Sequence, residues 1–226
     1  RSAGGTLPVS VNVAVFNVAA ARKFFEAGAD RLGLAVDAAT PSLFRRHKLD
    51  RPGAWRGRME LLEELARLYP GRISTHFIAG LGETEEEMVG AMYRAIVSGV
   101  TVALFAFTPV RGTLLEDRSA PDLASYRRMQ LARFLMSERR ARPEDFRFDE
   151  GAITAVGIEV APEDLSRAFL TSGCPDCNRP YYNERPGETP YNYPRPPGWS
   201  EVVAAARAMG ILYRIPEEFE EAKEVE

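Results

Sequence analysis

The stretch "RISTHFIAGLGETEEEMVGAMYRAIVSG", residues 72–99, carries the transition that sets the fold class. Its first part alternates, with Ile73, Phe77 and Ala79 on one side of an extended chain and Ser74, His76, Ile78 and Gly80 on the other. Beyond Gly80 and Gly82 the period lengthens to about 3.6, and Thr84 with Glu87 makes a Thr-x-x-Glu capping box ahead of the helical run. A strand that passes through a glycine turn into a capped helix is one half of a βαβ unit.

The same unit recurs on both sides. "LPVSVNVAV" alternates with period two, and "NVAAARKFFEAGAD" follows as a short helix stopped at Gly28. The strand "RLGLAVDA" precedes a helix announced by Thr40 as N-cap and Pro41 at the first helical position. A helix over "RGRMELLEELARLY" places Met59, Leu62, Leu65 and Ala66 on one stripe. The strand "VTVALFAFT" and the helix "PDLASYRRMQLARFLMSERR" continue the series, and a further strand is expected around Phe146 to Ile158. Strands separated by helices pair in parallel through right-handed crossovers, so the fold class is α/β.

The strand faces refine this class. Val9, Val11, Val13 and Val15 oppose Ser10, Asn12 and Ala14, while Leu32, Leu34 and Val36 oppose Gly33, Ala35 and Asp37. A sheet covered by helices on both faces reads apolar throughout. Here three successive strands keep one face small or polar, as strands do when that face lines a cavity. The expectation is a partial (β/α) barrel of parallel strands with outer helices. About five strands are visible, short of the eight of a complete barrel. Residues 1–160 are assigned to this partial barrel and 161–226 to an irregular Pro/Tyr-rich C-terminal extension, closed by the short helix "SEVVAAARAMG" and a Glu-rich end.

Composition narrows the function classes. The 226 residues are 45% hydrophobic, enough for a full core. A net charge of -3 and a pI near 5.7 give no general attraction for phosphate backbones, so nucleic acid is not an expected partner. No segment approaches about 18 consecutive apolar residues and the first residues lack the apolar region of a signal peptide, so a cytoplasmic protein without a membrane partner is expected. The chain opens on Arg1 rather than Met, which points to further sequence upstream.

Three segments together carry a resemblance. "HFIAGLGETEEE" resembles the fifth-strand motif of radical S-adenosylmethionine enzymes, in particular the biotin synthase and lipoyl synthase group. "AGADRLGLAVDAATPSLFRR" is similar to that group's fourth strand and following helix, and "TPVRGTLLED" to its sixth-strand exit. The likeness spans roughly residues 7–120. It implies S-adenosylmethionine as cofactor, with Ile78 and the turn of Gly80, Leu81 and Gly82 against the adenosine, Asp37 on the ribose hydroxyls, and Arg111 placed to meet a carboxylate. A cavity lined by Ser10, Asn12, Ser74 and His76 would face the substrate. His76 reads equally as a polar contact in the cavity and as a hydrogen-bonded structural histidine.

The family's Cys-x-x-x-Cys-x-x-Cys loop, which holds the 4Fe–4S cluster that cleaves the cofactor, is absent. Because "LPVSVNVAV" reads as the third strand of the barrel, that loop is expected upstream of Arg1. A separate polypeptide supplying the first strands and a degenerate homologue are the alternatives.

The two cysteines, Cys174 and Cys177, stand two residues apart in "SGCPDCNRPYYNERPGETPYNYPRPPGW". A structural zinc site needs four ligands and this pair supplies two, while the two histidines, His47 and His76, lie in other segments. The pair therefore reads as a half-site for an auxiliary iron–sulfur cluster, a half-site for zinc, or two thiols that ligate nothing. "SGCPDCNRPYYNE" also resembles the C-terminal motif of two-protein lipoyl synthases, and the terminal Arg-Ser-Ser-Tyr motif of the single-chain enzymes is missing.

That resemblance implies radical insertion of sulfur into unactivated C–H bonds of a protein-bound octanoyl chain. Its partners would be a lipoyl carrier protein or octanoylated peptide, a second radical S-adenosylmethionine subunit, and an electron donor such as ferredoxin. A biotin-synthase-like enzyme with another substrate, or a noncatalytic partial-barrel partner protein, are the readings beside it.

Overall fold

A computed structural model describes residues 7–174, 177 and 187–214 of the chain. The readings made for Pro175, Pro180, Tyr181, Tyr182, Pro186 and the Glu-rich end fall outside these residues. Four strands, β1 (Ser10–Asn12), β2 (Arg31–Gly33), β3 (Ile73–Ala79) and β4 (Thr101–Ala106), form one parallel sheet in the order β1-β2-β3-β4. Helix α1 (Val18–Glu26) links β1 to β2. Helices α2 (Pro41–His47) and α3 (Ala54–Leu68) link β2 to β3, α4 (Glu85–Val97) links β3 to β4, and α5 (Leu123–Ser137) follows β4.

Strand order that follows chain order decides where the helices lie. Right-handed crossovers stepping always in one direction put every helix on the same face of the sheet. A doubly wound sheet reverses its order at a switch point, and none occurs among the described strands. In keeping with a single helical layer, α1 packs on α3, α3 on α4 and α4 on α5. The covered face holds Leu32, Ile73, Phe77, Val102 and Leu104, all buried. The helices bring Met59, Leu62, Leu65 and Ala66 to it, the same stripe that the period of 3.6 picks out. Each such leucine or phenylalanine contributes about 1.5–3 kcal/mol by leaving water. The other face keeps Ser74, His76 and Ile78 half-buried. No closed barrel forms among the described residues.

The two caps read from sequence are present: Thr40 accepts from the Leu43 amide with Pro41 in the first turn, and Thr84 and Glu87 exchange both capping-box bonds. The structure adds Asn17, which accepts from the Ala20 amide.

The strand expected over Phe146 to Ile158 does not extend the parallel sheet. It is two strands, β5 (Phe146–Asp149) and β6 (Ala152–Glu159), which pair antiparallel and join β7 (Leu212–Arg214) in a separate sheet of order β5-β6-β7. The reason is local. Glu150 and Gly151 both have positive φ, 46° and 80°, the geometry of a two-residue type I′ hairpin, which folds the chain back on itself.

The hairpin docks on the start of α4. The buried Glu85 carboxylate accepts from Arg128 Nε on α5 at 2.9 Å and from the Ile153 amide at 2.8 Å, and the Glu86 amide donates to the Gly151 carbonyl at 3.0 Å. Two further helices, α6 (Pro162–Ala168) and α7 (Trp199–Met209), pack against α5.

Between them, Tyr191 and Tyr193 hold the extended segment onto α5. The fully buried Arg127 donates to the carbonyls of Tyr191 and Pro190 and lies over the rings of Phe169 and Tyr193, at 4.9 and 5.0 Å. Tyr191 Oη donates to the Pro121 carbonyl at 2.6 Å. No helix among the described residues is long and apolar enough to cross a membrane.

Candidate functional site

The open face of the parallel sheet gathers most of the residues that the sequence singles out. Its register sets Asn12 beside Gly33, Gly33 beside Ser74 and Ser74 beside Thr101, so one row crosses all four strands with small or polar side chains. The missing side chain of Gly33 leaves room in this row for its neighbours. A Cβ placed there would lie 1.9 Å from Asn12 Oδ1 and 3.1 Å from Ser74 Oγ, so the Asn12 amide occupies the room the glycine leaves. One step along the strands, His76 stacks at 4.8 Å against Phe105 of β4. Ser10 lies exposed at the start of β1.

Asp37 stands just past β2, toward the carboxyl ends of the strands, with φ at 67°. Aspartate tolerates this left-handed conformation better than most residues. Its backbone holds the position by accepting from the Ile78 amide at 2.7 Å and donating to the His76 carbonyl at 3.0 Å. Its carboxylate meets His76 Nε2 at 2.8 Å on one oxygen and Lys48 Nζ on the other. Burial pushes the Asp37 carboxyl up, but hydrogen bonds from His76 and Lys48 and their charges outweigh it and leave the group below its ordinary value. His76 is thus both a polar side chain of the open face and a hydrogen-bonded partner of Asp37.

Lys48, the C-cap of α2, also donates to the Ala35 carbonyl at 2.7 Å. Together with Arg58 it lines a cavity of about 220 Å³ whose other walls include Asn12, Gly33 and Ala35. Burial lowers the Arg58 guanidinium while the Asp37 carboxylate raises it, and Arg58 donates to the Val15 carbonyl at 3.2 Å. The cavity therefore combines two cations with one amide, a lining suited to an anionic group on a polar ligand.

The turn after β3 is closed from within. The Glu83 carboxylate accepts from the Gly80 amide at 2.7 Å and the Leu81 amide at 3.0 Å. Burial pushes Glu83 up, against the backbone hydrogen bonds that favour its charge. Gly80 and Gly82 both have positive φ, 100° and 119°, which glycine alone adopts at little cost. Arg118 Nε donates to the Gly80 carbonyl at 2.6 Å. Two of the amides that the turn would offer a ligand are therefore engaged, and the half-buried Ile78 beside it remains as an apolar surface. Arg111 lies on the exposed loop after β4, with no hydrogen bond joining it to Asp37.

The cysteines belong to a different part of the fold. Ser172 Oγ accepts from the Leu104 amide at 3.2 Å, and Gly173 is so close to Ala103 that a Cβ would sit 2.7 Å from it. The run before Cys174 therefore lies against the edge of β4 that pairs with no strand. Cys174 is exposed, Cys177 is half-buried, and the Cys177 amide donates to the Cys174 carbonyl at 3.3 Å. No group of three or more His, Cys, Asp or Glu residues suited to a metal occurs among the described residues.

Sequence reading found Asp37 and His76 by separate patterns and did not join them. It missed Lys48, Arg58, Arg118 and Thr101. Thr101 alone had a usable signal, its place in the period-two alternation of "VTVALFAFT". A scan of the chain against protein-family models finds no match, and a search of curated proteins finds none.

Proposed function

We propose that the open face of this sheet is the cofactor and substrate face of a radical S-adenosylmethionine enzyme of the partial-barrel type, acting in sulfur insertion as one component of a lipoyl synthase. The observation that carries the reading is the placement of Asp37. It sits at the carboxyl end of a strand in a sequentially ordered parallel sheet, hydrogen-bonded to the His76 side chain and, through its backbone carbonyl, to the Ile78 amide of the next strand.

The residues present fit the organic cofactor in three respects. The Asp37 carboxylate is about a fifth exposed and each oxygen spends one lone pair on His76 or Lys48, so acceptor capacity remains for ribose hydroxyls. Lys48 and Arg58 at the neighbouring cavity suit a carboxylate. Ile78 offers an apolar surface for a purine, while Gly80 and Leu81 amides are committed to Glu83, so adenosine contacts through this turn would rest on its surface and its carbonyls.

The described residues hold at most a half-site for a cluster, Cys174 and Cys177, and none that is complete. Two thiols are half the ligands a 4Fe–4S centre requires, and no other metal-ligating group stands with them among the described residues. The radical-generating cluster would have to be held by other sequence. When bound to such a cluster and given one electron by an external donor, the cofactor would supply the oxidising radical chemistry needed at an unactivated C–H bond. This chain's own part would be to orient the ribose through Asp37 and to fix the cofactor carboxylate through Lys48 and Arg58.

The test is chemical. The protein expressed from its full native reading frame is reconstituted anaerobically with iron and sulfide, alone and with a candidate partner subunit. It is then given S-adenosylmethionine and the one-electron reductant dithionite, and assayed for iron content, 5′-deoxyadenosine and thiolation of an octanoylated peptide. The reading expects deoxyadenosine formation that Asp37→Ala lowers at least tenfold, and loss of one cluster's iron in the Cys174→Ala, Cys177→Ala double variant. Absence of iron under every condition overturns it.

A further inference from the structure

At the opposite end of β4 from the Gly80 turn, a cleft of about 570 Å³ opens between the last turns of α4 and α5 and the 170–174 run. Arg133 of α5 lines it. Arg133 is half-buried: its Nε is sealed from solvent with no hydrogen-bond partner, its terminal nitrogens are not sealed, and among the described residues the side chain has neither hydrogen bond nor ion pair. Buried cations are normally paired, because an unpaired one loses its hydration with nothing in return.

The surroundings do not supply the missing partner. Arg139, also lining the cleft, is held at φ 58° just past the end of α5, and its side chain makes no ion pair among the described residues. The nearest carboxylate, Glu138, is engaged with Arg167 at 3.3 Å, and Arg167 lies over the Phe134 ring. Three guanidiniums and one carboxylate therefore face one concavity. Burial lowers the Arg133 guanidinium to about 10, against the raising influence of Tyr126 and Glu138. At neutral pH it stays charged.

Thr101 and Ser137 place hydroxyls on the wall, and Ile96, Val100 and Leu170 give it an apolar part. A guanidinium fork matches the two oxygens of a carboxylate or phosphate, and the match strengthens when the fork is already desolvated.

We propose that this cleft is a binding site for an oxyanion, carboxylate or phosphate, with Arg133 as its principal ligand and Arg139 as the second. It shares only Thr101 with the row of the open face, has none of the Asp37, His76, Lys48 and Arg58 group in its lining, and does not depend on the function proposed for that face. A small organic anion would place its charged group on the two guanidiniums and its body along Ile96, Val100 and Leu170.

The experiment uses two probes, inorganic phosphate and hexanoate, titrated calorimetrically into the wild-type protein, Arg133→Met and Arg139→Ala at constant ionic strength held with chloride. Thermal unfolding is followed in parallel. Saturable binding of at least one probe is expected, reduced tenfold or more in Arg133→Met and several-fold in Arg139→Ala. Phosphate alone would mark a phosphorylated ligand, hexanoate alone an aliphatic carboxylate, and both a general oxyanion site. Without added anion, Arg133→Met is expected to melt no lower than wild type, because it replaces an unpaired, half-buried charge with an apolar side chain of similar length. The proposal fails if neither probe binds beyond chloride, or if both variants bind as wild type. It fails also if Arg133→Met does not fold and Arg139→Ala binds normally.

Discussion

Asp37 Oδ1 and His76 Nε2 lie 2.8 Å apart across two neighbouring parallel strands, joining a residue just past β2 to the middle of β3. The contact sits on the sheet face that the helices leave uncovered, and Lys48 holds the other carboxylate oxygen. Charge, position and a left-handed backbone thus converge on one side chain.

The Asp37 carboxyl is held below its ordinary 3.8 in the folded chain because His76 and Lys48 outweigh burial. A depressed acid contributes stability above its unfolded value and loses it as pH falls through the folded value. Asp37→Asn keeps a residue that tolerates positive φ, so its cost is that of the charged acceptor, about 1–3 kcal/mol at pH 7. Urea unfolding at pH 7 and pH 3 should show the gap between wild type and Asp37→Asn narrowing at the lower pH.

Glu83 shifts the other way, raised above 4.5 by burial. A raised acid makes the fold less stable as pH climbs through the interval between its unfolded and folded values, so wild-type stability gains a falling component above about pH 4.5 from this group. Glu83→Gln should flatten that component in a pH series of unfolding curves. Glu83→Ala should cost about 1–3 kcal/mol by stranding the Gly80 or Leu81 amide.

Glu85 ties three elements, α4, α5 and β6, through Arg128 and the Ile153 amide. Removing one partner of a buried ion pair leaves the other uncompensated, and Glu85→Ala should cost about 3–5 kcal/mol. Chemical denaturation of Glu85→Ala, Arg128→Ala and the double variant would read the coupling, with the double variant less damaged than the sum.

Strand and helix sequence, the caps at Thr40 and Thr84 and the Met59, Leu62, Leu65 and Ala66 stripe are visible in the sequence because they depend on neighbours within one or two helical turns. The polar open face was visible for the same reason, as a period-two alternation. The Glu85 bonds reach 43 and 68 residues along the chain, and nothing local announces them. Lys48 and Arg58 reach the candidate site only because the chain between β2 and β3 returns over the end of the sheet. The hairpin at Glu150 and Gly151 was misread as part of one strand because its flanks are both strand-like and the turn has two residues.

Arg127 is the clasp of the segment that carries Tyr191 and Tyr193. A lysine keeps the charge but lacks the planar fork that meets two carbonyls and lies between two rings. Arg127→Lys should expose the segment, seen as faster chymotryptic cleavage after Tyr191 while cleavage elsewhere is unchanged; Pro194 protects the bond after Tyr193.

Equilibrium binding of S-adenosylmethionine to the open face is the most direct test of the central claim. Calorimetric titration of the wild-type protein should give saturable one-to-one binding. Asp37→Ala and Gly33→Val, the latter pushing Asn12 into the cavity, should each weaken it at least tenfold, and Arg139→Ala should leave it unchanged. No binding to the wild type, or equal affinity in all variants, would contradict the assignment of this face to the cofactor.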